Sequence, residues 1–210
     1  MKKLILCCLI TATISTAHAQ ISGYRITGAR VTIKTGNDNK EWAAKVEAYL
    51  FPTLPTTYTQ TWVLAQKNLT NEMKINSNTE LGLTILTKDR VPWPVYNDQS
   101  IPKKPNKTFP PRTAPWLVED LQNQGFRLLI CYRPFSGLDA WKIDKVTVKL
   151  EVKKADGTPH PTLNGKTIAF TITSPPLGFG GITGTALVCE ADKNLVPLTH
   201  YLTRDVCIDL

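Results

Sequence analysis

The amino-acid sequence predicts an all-β protein, a single antiparallel β-sandwich of about eight strands with one short helix and a long Pro-rich loop. Three observations support this fold class. Apolar and polar residues alternate with a period of two along many short segments, as expected for strands that bury one face. Glycine, proline and asparagine separate these segments, and only one short stretch has the composition of a helix. A barrel is the alternative architecture.

The clearest alternation lies in a predicted hairpin in the second half of the chain. Apolar residues occupy every second position from Val146 to Val152, with charged or polar residues between them. The run ends at the turn signal Asp156-Gly157, and a second alternation follows over residues 166–173. We therefore expect two antiparallel strands that place one face on a core.

The other elements follow from the same reasoning in chain order. Alternation predicts strands over residues 24–35, 42–51, 61–65 and 81–85. Residues 115–124 are predicted to form one or two helical turns, because Pro115 suits a first helical position and Gly125 suits the stop. The strongly apolar stretch 126–133 predicts a central strand, and residues 185–190 and 200–208 predict two closing strands.

The first 19 residues have the pattern of a secretory signal peptide, with a basic start, an apolar middle and the small-residue site Ala17-His18-Ala19. The apolar run is shorter than the ~20 residues that span a bilayer, and the residues before Cys7 and Cys8 are too large for a lipidation site. The sequence thus predicts an exported protein of a bacterial envelope, periplasmic, on the outer surface or secreted. Residues 20–210 would form the sandwich domain, which is not expected to span a membrane.

Three cysteines follow the signal peptide, at positions 131, 189 and 207. An oxidising compartment favours one disulfide with one thiol left over. Cys189 and Cys207 lie in the last two apolar segments, which are candidates for neighbouring strands, so the sequence favours their pairing. Such a bond would stabilise the fold by about 3 kcal/mol. Cys131 lies inside an apolar run and is predicted to be a small buried hydrophobe.

Residues 90–115 differ in kind from the rest of the chain, because they hold seven prolines that exclude a helix or a central strand. Aromatic and basic residues are interleaved there, and the candidate ligand-binding residues are Trp93, Tyr96, Lys103, Lys104, Lys107, Arg112 and Trp116. Aromatic rings stack on sugars or enter interfaces, and basic side chains contact anions. The alternative is that these rings pack over the open end of the sandwich while the lysines are solvated.

The other tryptophans, Trp42, Trp62 and Trp141, lie on or beside predicted strands and are expected in the core. The formal net charge of +8 suits anionic partners as well as plain solubility, and no nucleic-acid partner is expected.

A calcium site is the one metal site that the sequence suggests. Asp38 lies in an Asn- and Asp-rich turn, and it would be joined by Asp139 and Asp144 if their segments pack at one end. The alternative is an Asx-rich turn held by its own backbone hydrogen bonds. Neither His160 nor His200 has the spacing of a transition-metal ligand, and no Gly-x-Ser-x-Gly motif is present, so no other cofactor and no catalysis are expected.

Two segments together are similar to a known family. Ala29–Asp38 runs from a strand into a Thr-Gly-acidic turn, and Asp139–Val148 places an Asp-x-Trp sequence before a strand. This combination resembles PLAT-like (lipoxygenase-homology-like) β-sandwich domains and their secreted bacterial relatives, although Ala140 stands where relatives often carry a polar residue. The resemblance implies a module that binds lipid surfaces, proteins or glycans, sometimes with calcium, and that is not a catalyst.

The sequence therefore predicts a non-catalytic binding or adhesion module that recognises a glycan, an anionic lipid surface or an envelope protein through its aromatic and basic loop. One alternative is a structural or assembly subunit that self-associates, because an exposed strand edge pairs readily with a neighbour. A second alternative is a hydrolase whose site assembles in space, with Asp139 and Asp144 as paired carboxylates.

Overall fold

The computed structural model describes residues 23–53, 63–86, 114–136, 139–178 and 185–203. These residues form nine strands and one short helix. The strands are β1 Arg25–Thr35, β2 Lys45–Pro52, β3 Val63–Leu69, β4 Asn78–Leu86, β5 Phe126–Arg133, β6 Ile143–Lys153, β7 Thr167–Thr171, β8 Thr185–Ala191 and β9 Pro197–Thr203. The helix α1 spans Val118–Gln124 and leads directly into β5.

The strands pair in the order β7-β6-β1-β4-β3-β2-β5-β8-β9, and every pair is antiparallel. Strand β4 links the two halves of the sheet, because its first part pairs with β1 and its last part with β3. The sheet folds over until its end strands approach, and the Thr173 amide donates to His200 Nε2 on β9 at 3.1 Å. The predicted all-β antiparallel sandwich is confirmed, and it is nearly closed.

The predicted hairpin of the second half of the chain is also confirmed. Strand β6 pairs with β7 in a register that places Val146 opposite Phe170 and Val148 opposite Ile168. The other side of β6 pairs with β1, which places Ile33 opposite Val146. Apolar side chains of all three strands therefore share one buried face.

The helix is shorter than predicted because the residues before it pair with the chain at the start of β1. The Ile26 amide donates to the Trp116 carbonyl at 2.8 Å, and the Val118 amide donates to the Tyr24 carbonyl at 3.1 Å. The helix ends as predicted at Gly125, whose positive φ of 72° is a conformation that favours glycine.

The main core lies between the two halves of the sheet and holds Trp116 and Trp141, both fully buried. The prediction of Trp141 in the core is confirmed. The prediction of Trp116 as a ligand-binding residue is wrong, because pairing with β1 turns its side chain into the core. Trp42 was expected in the core and is instead 72% exposed. The remaining loop candidates and Trp62 lie outside the described residues.

A second apolar cluster lies on the opposite face of β3, β2, β5 and β8, which we call the outer-face cluster. Its buried members are Tyr49, Phe51, Val63, Ala65, Leu129, Cys131, Ala186 and Val188. Strands β2 and β5 are therefore buried on both faces, and β5 lies between β2 and β8, as its continuous apolar run predicted. On the same face, the Arg127 guanidinium forms a buried ion pair with the Glu190 carboxylate.

The cysteines depart from the predicted arrangement. Cys189 on β8 is a free thiol within the main core, so the predicted disulfide between Cys189 and Cys207 is wrong. Burial raises the pKa of the Cys189 thiol, which keeps it protonated. Cys131 on β5 is buried, as predicted, but it is disulfide-bonded. The two cysteines face opposite sides of the sheet, since Cys131 belongs to the outer-face cluster.

Candidate functional site

A pocket of about 380 Å³ opens where the connection between β1 and β2 meets the connection between β5 and β6; we call it the end pocket. The described residues that line it are Asp38, Asn39, Glu41, Trp42, Ala43, Phe135, Ser136, Asp139 and Ala140. Both connections leave the same end of the sheet, because Thr35 pairs with Ile143 and Lys45 pairs with Arg133.

The first wall of the end pocket is the connection between β1 and β2, which contributes Asp38, Asn39, Glu41, Trp42 and Ala43. This wall is fixed to the start of β6. The Gly36 amide donates to the Lys142 carbonyl at 2.8 Å, and the Lys142 amide donates to the Asp38 carbonyl at 3.1 Å. A side chain at Gly36 would place its Cβ 2.4 Å from Asp144 Oδ1, so only glycine fits without a shift. The segments Ala29–Asp38 and Asp139–Val148 are thus held directly against each other.

The same wall is fixed from its other side by the chain before β4. Lys40 and Met73 exchange two backbone hydrogen bonds of 3.1 Å, and the Lys40 ammonium donates to the carbonyls of Glu41 and Asn71 at 2.8 Å. The next residues form a tight turn, in which the Ala44 amide donates to the Glu41 carbonyl at 3.2 Å. Trp42 lies in this turn, before β2 begins, which explains its exposure.

The second wall is the turn that follows β5, which contributes Phe135, Ser136, Asp139 and Ala140. The Asp139 amide donates to the Ser136 carbonyl at 3.2 Å, and the Phe135 amide donates to Asp139 Oδ2 at 3.3 Å. Phe135 is 78% exposed. Each wall of the end pocket therefore presents one large aromatic ring to solvent.

Three carboxylates make the end pocket acidic. Burial, and then the charge of Asp139, raise the pKa of Asp38, which indicates that these two carboxylates lie close together. Behind them lies Tyr132, whose hydroxyl is fully buried and lies next to Asp139. Burial raises the pKa of Tyr132 most, Asp139 raises it further, and Asp38 and Glu41 add smaller effects. The hydroxyl is thus coupled to the carboxylates of the end pocket, and most strongly to Asp139.

Lys40 beneath this wall is expected to make the protein more stable in mild alkali. Burial lowers the pKa of Lys40 to about 8, an effect that the charges of Asp139, Glu41 and Glu72 partly offset. The folded protein therefore releases this proton at a lower pH than the unfolded chain, whose lysine pKa is about 10.4. Accordingly, the contribution of Lys40 to the free energy of unfolding should increase as the pH rises from the first of these pKa values to the second.

Urea unfolding over a pH series measures this contribution when the protein is compared with Lys40→Met. The difference between the two proteins should grow in favour of the native sequence as the pH rises through this range. Parallel pH curves for the two proteins would contradict the assignment to Lys40.

Of the three predicted calcium ligands, the structure brings Asp38 and Asp139 to one pocket, while Asp144 lies on β6 and does not line it. Within the described ranges, no three histidine, cysteine or acidic side chains are grouped closely enough to hold a metal ion. The set of ligands that the sequence suggested is therefore not assembled there.

Sequence reasoning missed the two exposed aromatic residues of the end pocket. Trp42 continues the apolar alternation of β2, which falsely indicated a buried position. Phe135 lies in the sequence Pro134-Phe135-Ser136, a turn in which no strand can bury a large apolar ring. That placement is a signal that could have identified it.

No protein-family model matches this chain, and neither the curated proteins nor the solved structures include a match. In the part of the chain that the structure describes, no helix has the length and apolar character needed to cross a membrane.

Proposed function

We propose that the protein is an exported, non-catalytic binding module that recognises a saccharide in the end pocket. The observation that supports this function is the pair of exposed rings, Trp42 and Phe135, on opposite walls of a polar pocket. Aromatic rings stack on the apolar faces of sugars. The carboxylates, the Asn39 amide and the Ser136 hydroxyl offer hydrogen bonds to sugar hydroxyls.

The size and rigidity of the end pocket suit a small ligand. Its volume of about 380 Å³ falls in the range of pockets that hold small molecules. The first wall is bonded to Lys142 on one side and to Met73 on the other. A wall that is already ordered loses little conformational entropy when a ligand binds, which favours affinity.

The surroundings of Ser136 support a non-catalytic role. A serine nucleophile needs a histidine within hydrogen-bond reach. The two histidines of the described chain accept backbone amides elsewhere, since His160 Nδ1 bonds the Leu163 amide at 3.1 Å and His200 Nε2 bonds the Thr173 amide at 3.1 Å. The Asp139 carboxylate likewise accepts the Phe135 amide, a structural use of that group.

An oligosaccharide array that presents neutral, acidic, N-acetylated and amino sugars tests this proposal. The protein should be retained by at least one class of sugar, and Trp42→Ala or Phe135→Ala should weaken that binding about tenfold. Leu198→Ala is the matched control, because Leu198 is an exposed apolar residue on β9 that does not line the end pocket. It should bind like the native protein.

Three outcomes would contradict the proposal. Retention by no sugar class would exclude saccharide recognition. Binding that survives Trp42→Ala but is lost in Trp93→Ala would move the site to the Pro-rich loop, the location that the sequence favoured. Cleavage of the bound oligosaccharide would contradict the non-catalytic role and favour the hydrolase alternative.

A further inference from the structure

The charge of the end pocket is opposite to that of the chain as a whole. The chain carries a formal net charge of +8, whereas Asp38, Glu41 and Asp139 line the pocket and no basic side chain is among its described lining residues. The nearest described cation is not directed at a ligand, because the Lys40 ammonium is held by two backbone carbonyls and Lys40 is fully buried. An anionic ligand would therefore be repelled.

A second observation concerns the residue behind the same carboxylates. The Tyr132 hydroxyl is fully buried next to Asp139, which after burial raises the pKa of Tyr132 most, and the charges of Asp38 and Glu41 raise it further. Asp38 and Asp139 also repel each other, as the raised pKa of Asp38 reflects after the larger effect of its burial. A hydrogen-bond-donating cation would relieve this repulsion, and a metal ion is disfavoured because the described residues lack three grouped ligands.

The exposed rings favour the same kind of ligand. The electron-rich face of Trp42 or Phe135 attracts a cation as well as the polarised C–H groups of a sugar. A ligand that combines a sugar ring with a positive charge would use the aromatic walls and the carboxylates together.

We infer that the end pocket selects a saccharide that carries a protonated amine, with the sugar between Trp42 and Phe135 and the ammonium beside Asp38 and Asp139. This inference rests on the proposed function and narrows it to the amino sugars. Recognition of this ligand involves no covalent step, because the ligand is bound and released unchanged.

Calorimetric titration with two matched oligosaccharides tests the inference. One is a β-linked glucosamine oligomer at a pH that protonates its amines, and the other is the N-acetylated oligomer of the same length and linkage. The amine form should bind about tenfold more tightly. Added salt should reduce that preference, because it screens charges at an open pocket.

Two variants assign the preference to the carboxylates. Glu41→Gln changes an exposed side chain and should fold normally, and Asp38→Asn changes a partly buried one. Each should reduce the preference for the amine form, because the lost charge lowers the affinity for that form more than the affinity for the N-acetylated form. Trp42→Ala, in contrast, should weaken the binding of both oligomers, and Leu198→Ala should change neither.

The outcomes separate this inference from the proposed function. Equal binding of both oligomers, or tighter binding of the N-acetylated form, would overturn the inference and leave the saccharide site in place. Binding of neither oligomer would overturn the inference, and failure on the whole array would overturn the proposed function too. Binding of a lysine-rich peptide, with neither oligomer bound, would also overturn the inference and replace it with a peptide site.

Discussion

Replacement of Trp141 by alanine is expected to lower the free energy of unfolding by roughly 3–5 kcal/mol. The Trp141 side chain is fully buried and packs on Tyr132, with 5.6 Å between the ring centroids. Its Nε1 donates to Thr35 Oγ1 at 3.3 Å, which ties the start of β6 to the end of β1. The variant therefore loses apolar contacts, leaves a cavity and breaks a buried hydrogen bond in one step.

Trp42→Ala is the matched control for this experiment, since it makes the same chemical change at a position that is 72% exposed. Surface substitutions of this kind usually change stability by less than about 0.5 kcal/mol. Chemical denaturation of both variants gives the comparison. Equal losses of stability in the two variants would contradict the placement of Trp141 in the core and Trp42 at the surface.

Arg127→Met is expected to destabilise the fold by a similar amount, roughly 3–5 kcal/mol. The side chains of Arg127 and Glu190 are only 6% and 11% exposed, and they form an ion pair across β5 and β8. Removal of the guanidinium leaves the Glu190 carboxylate buried, with the Tyr201 hydroxyl as its described hydrogen-bond partner at 3.1 Å. A buried charge without an opposite charge is the main source of the expected loss.

The double variant Arg127→Met, Glu190→Leu tests this explanation. It removes both charges and leaves apolar side chains beside the outer-face cluster, so it should recover most of the stability that the single variant loses. Denaturation of the single and double variants at one pH measures the recovery. A double variant as unstable as Arg127→Met alone would show that the uncompensated charge is not the cause.

The fold was largely predictable because most strands bury one face, which leaves a period-two pattern in the sequence. The alternation of β1 and β6 gave their positions to within two residues. The same rule failed where local pattern and tertiary packing disagree. Trp42 continues the apolar alternation of β2 but lies before the strand begins. Trp116 resembles the Pro-rich segment in composition, but its backbone pairs with the start of β1.

The disulfide prediction failed for a related reason. Successive residues of a strand face opposite sides of the sheet, so the side that each cysteine faces depends on its position along its strand and on which face of that strand meets the core. Cys189 points into the main core and stays a free thiol, whereas Cys131 lies on the outer face. A count of cysteines predicts that a bond forms, but it does not identify the face on which it lies.

The candidate site was predictable only in part. The sequence singled out Asp38 and Asp139 as side chains that would meet if their segments packed at one end, and the structure places both carboxylates in the end pocket. Phe135 could have been identified from its turn sequence, but the exposure of Trp42 could not be inferred, because it depends on a turn whose geometry the local residues do not encode.

The pairing of β1 with β6 has a consequence for the time at which the end pocket forms during folding. Thr35 and Trp141, which join these strands at the pocket, lie 106 residues apart in the chain. Contacts between such distant residues form slowly, because a long stretch of chain must first lose its conformational freedom. The ligand site therefore assembles only after the chain through the start of β6 has been synthesised and has paired with β1, and ligand binding would report that pairing.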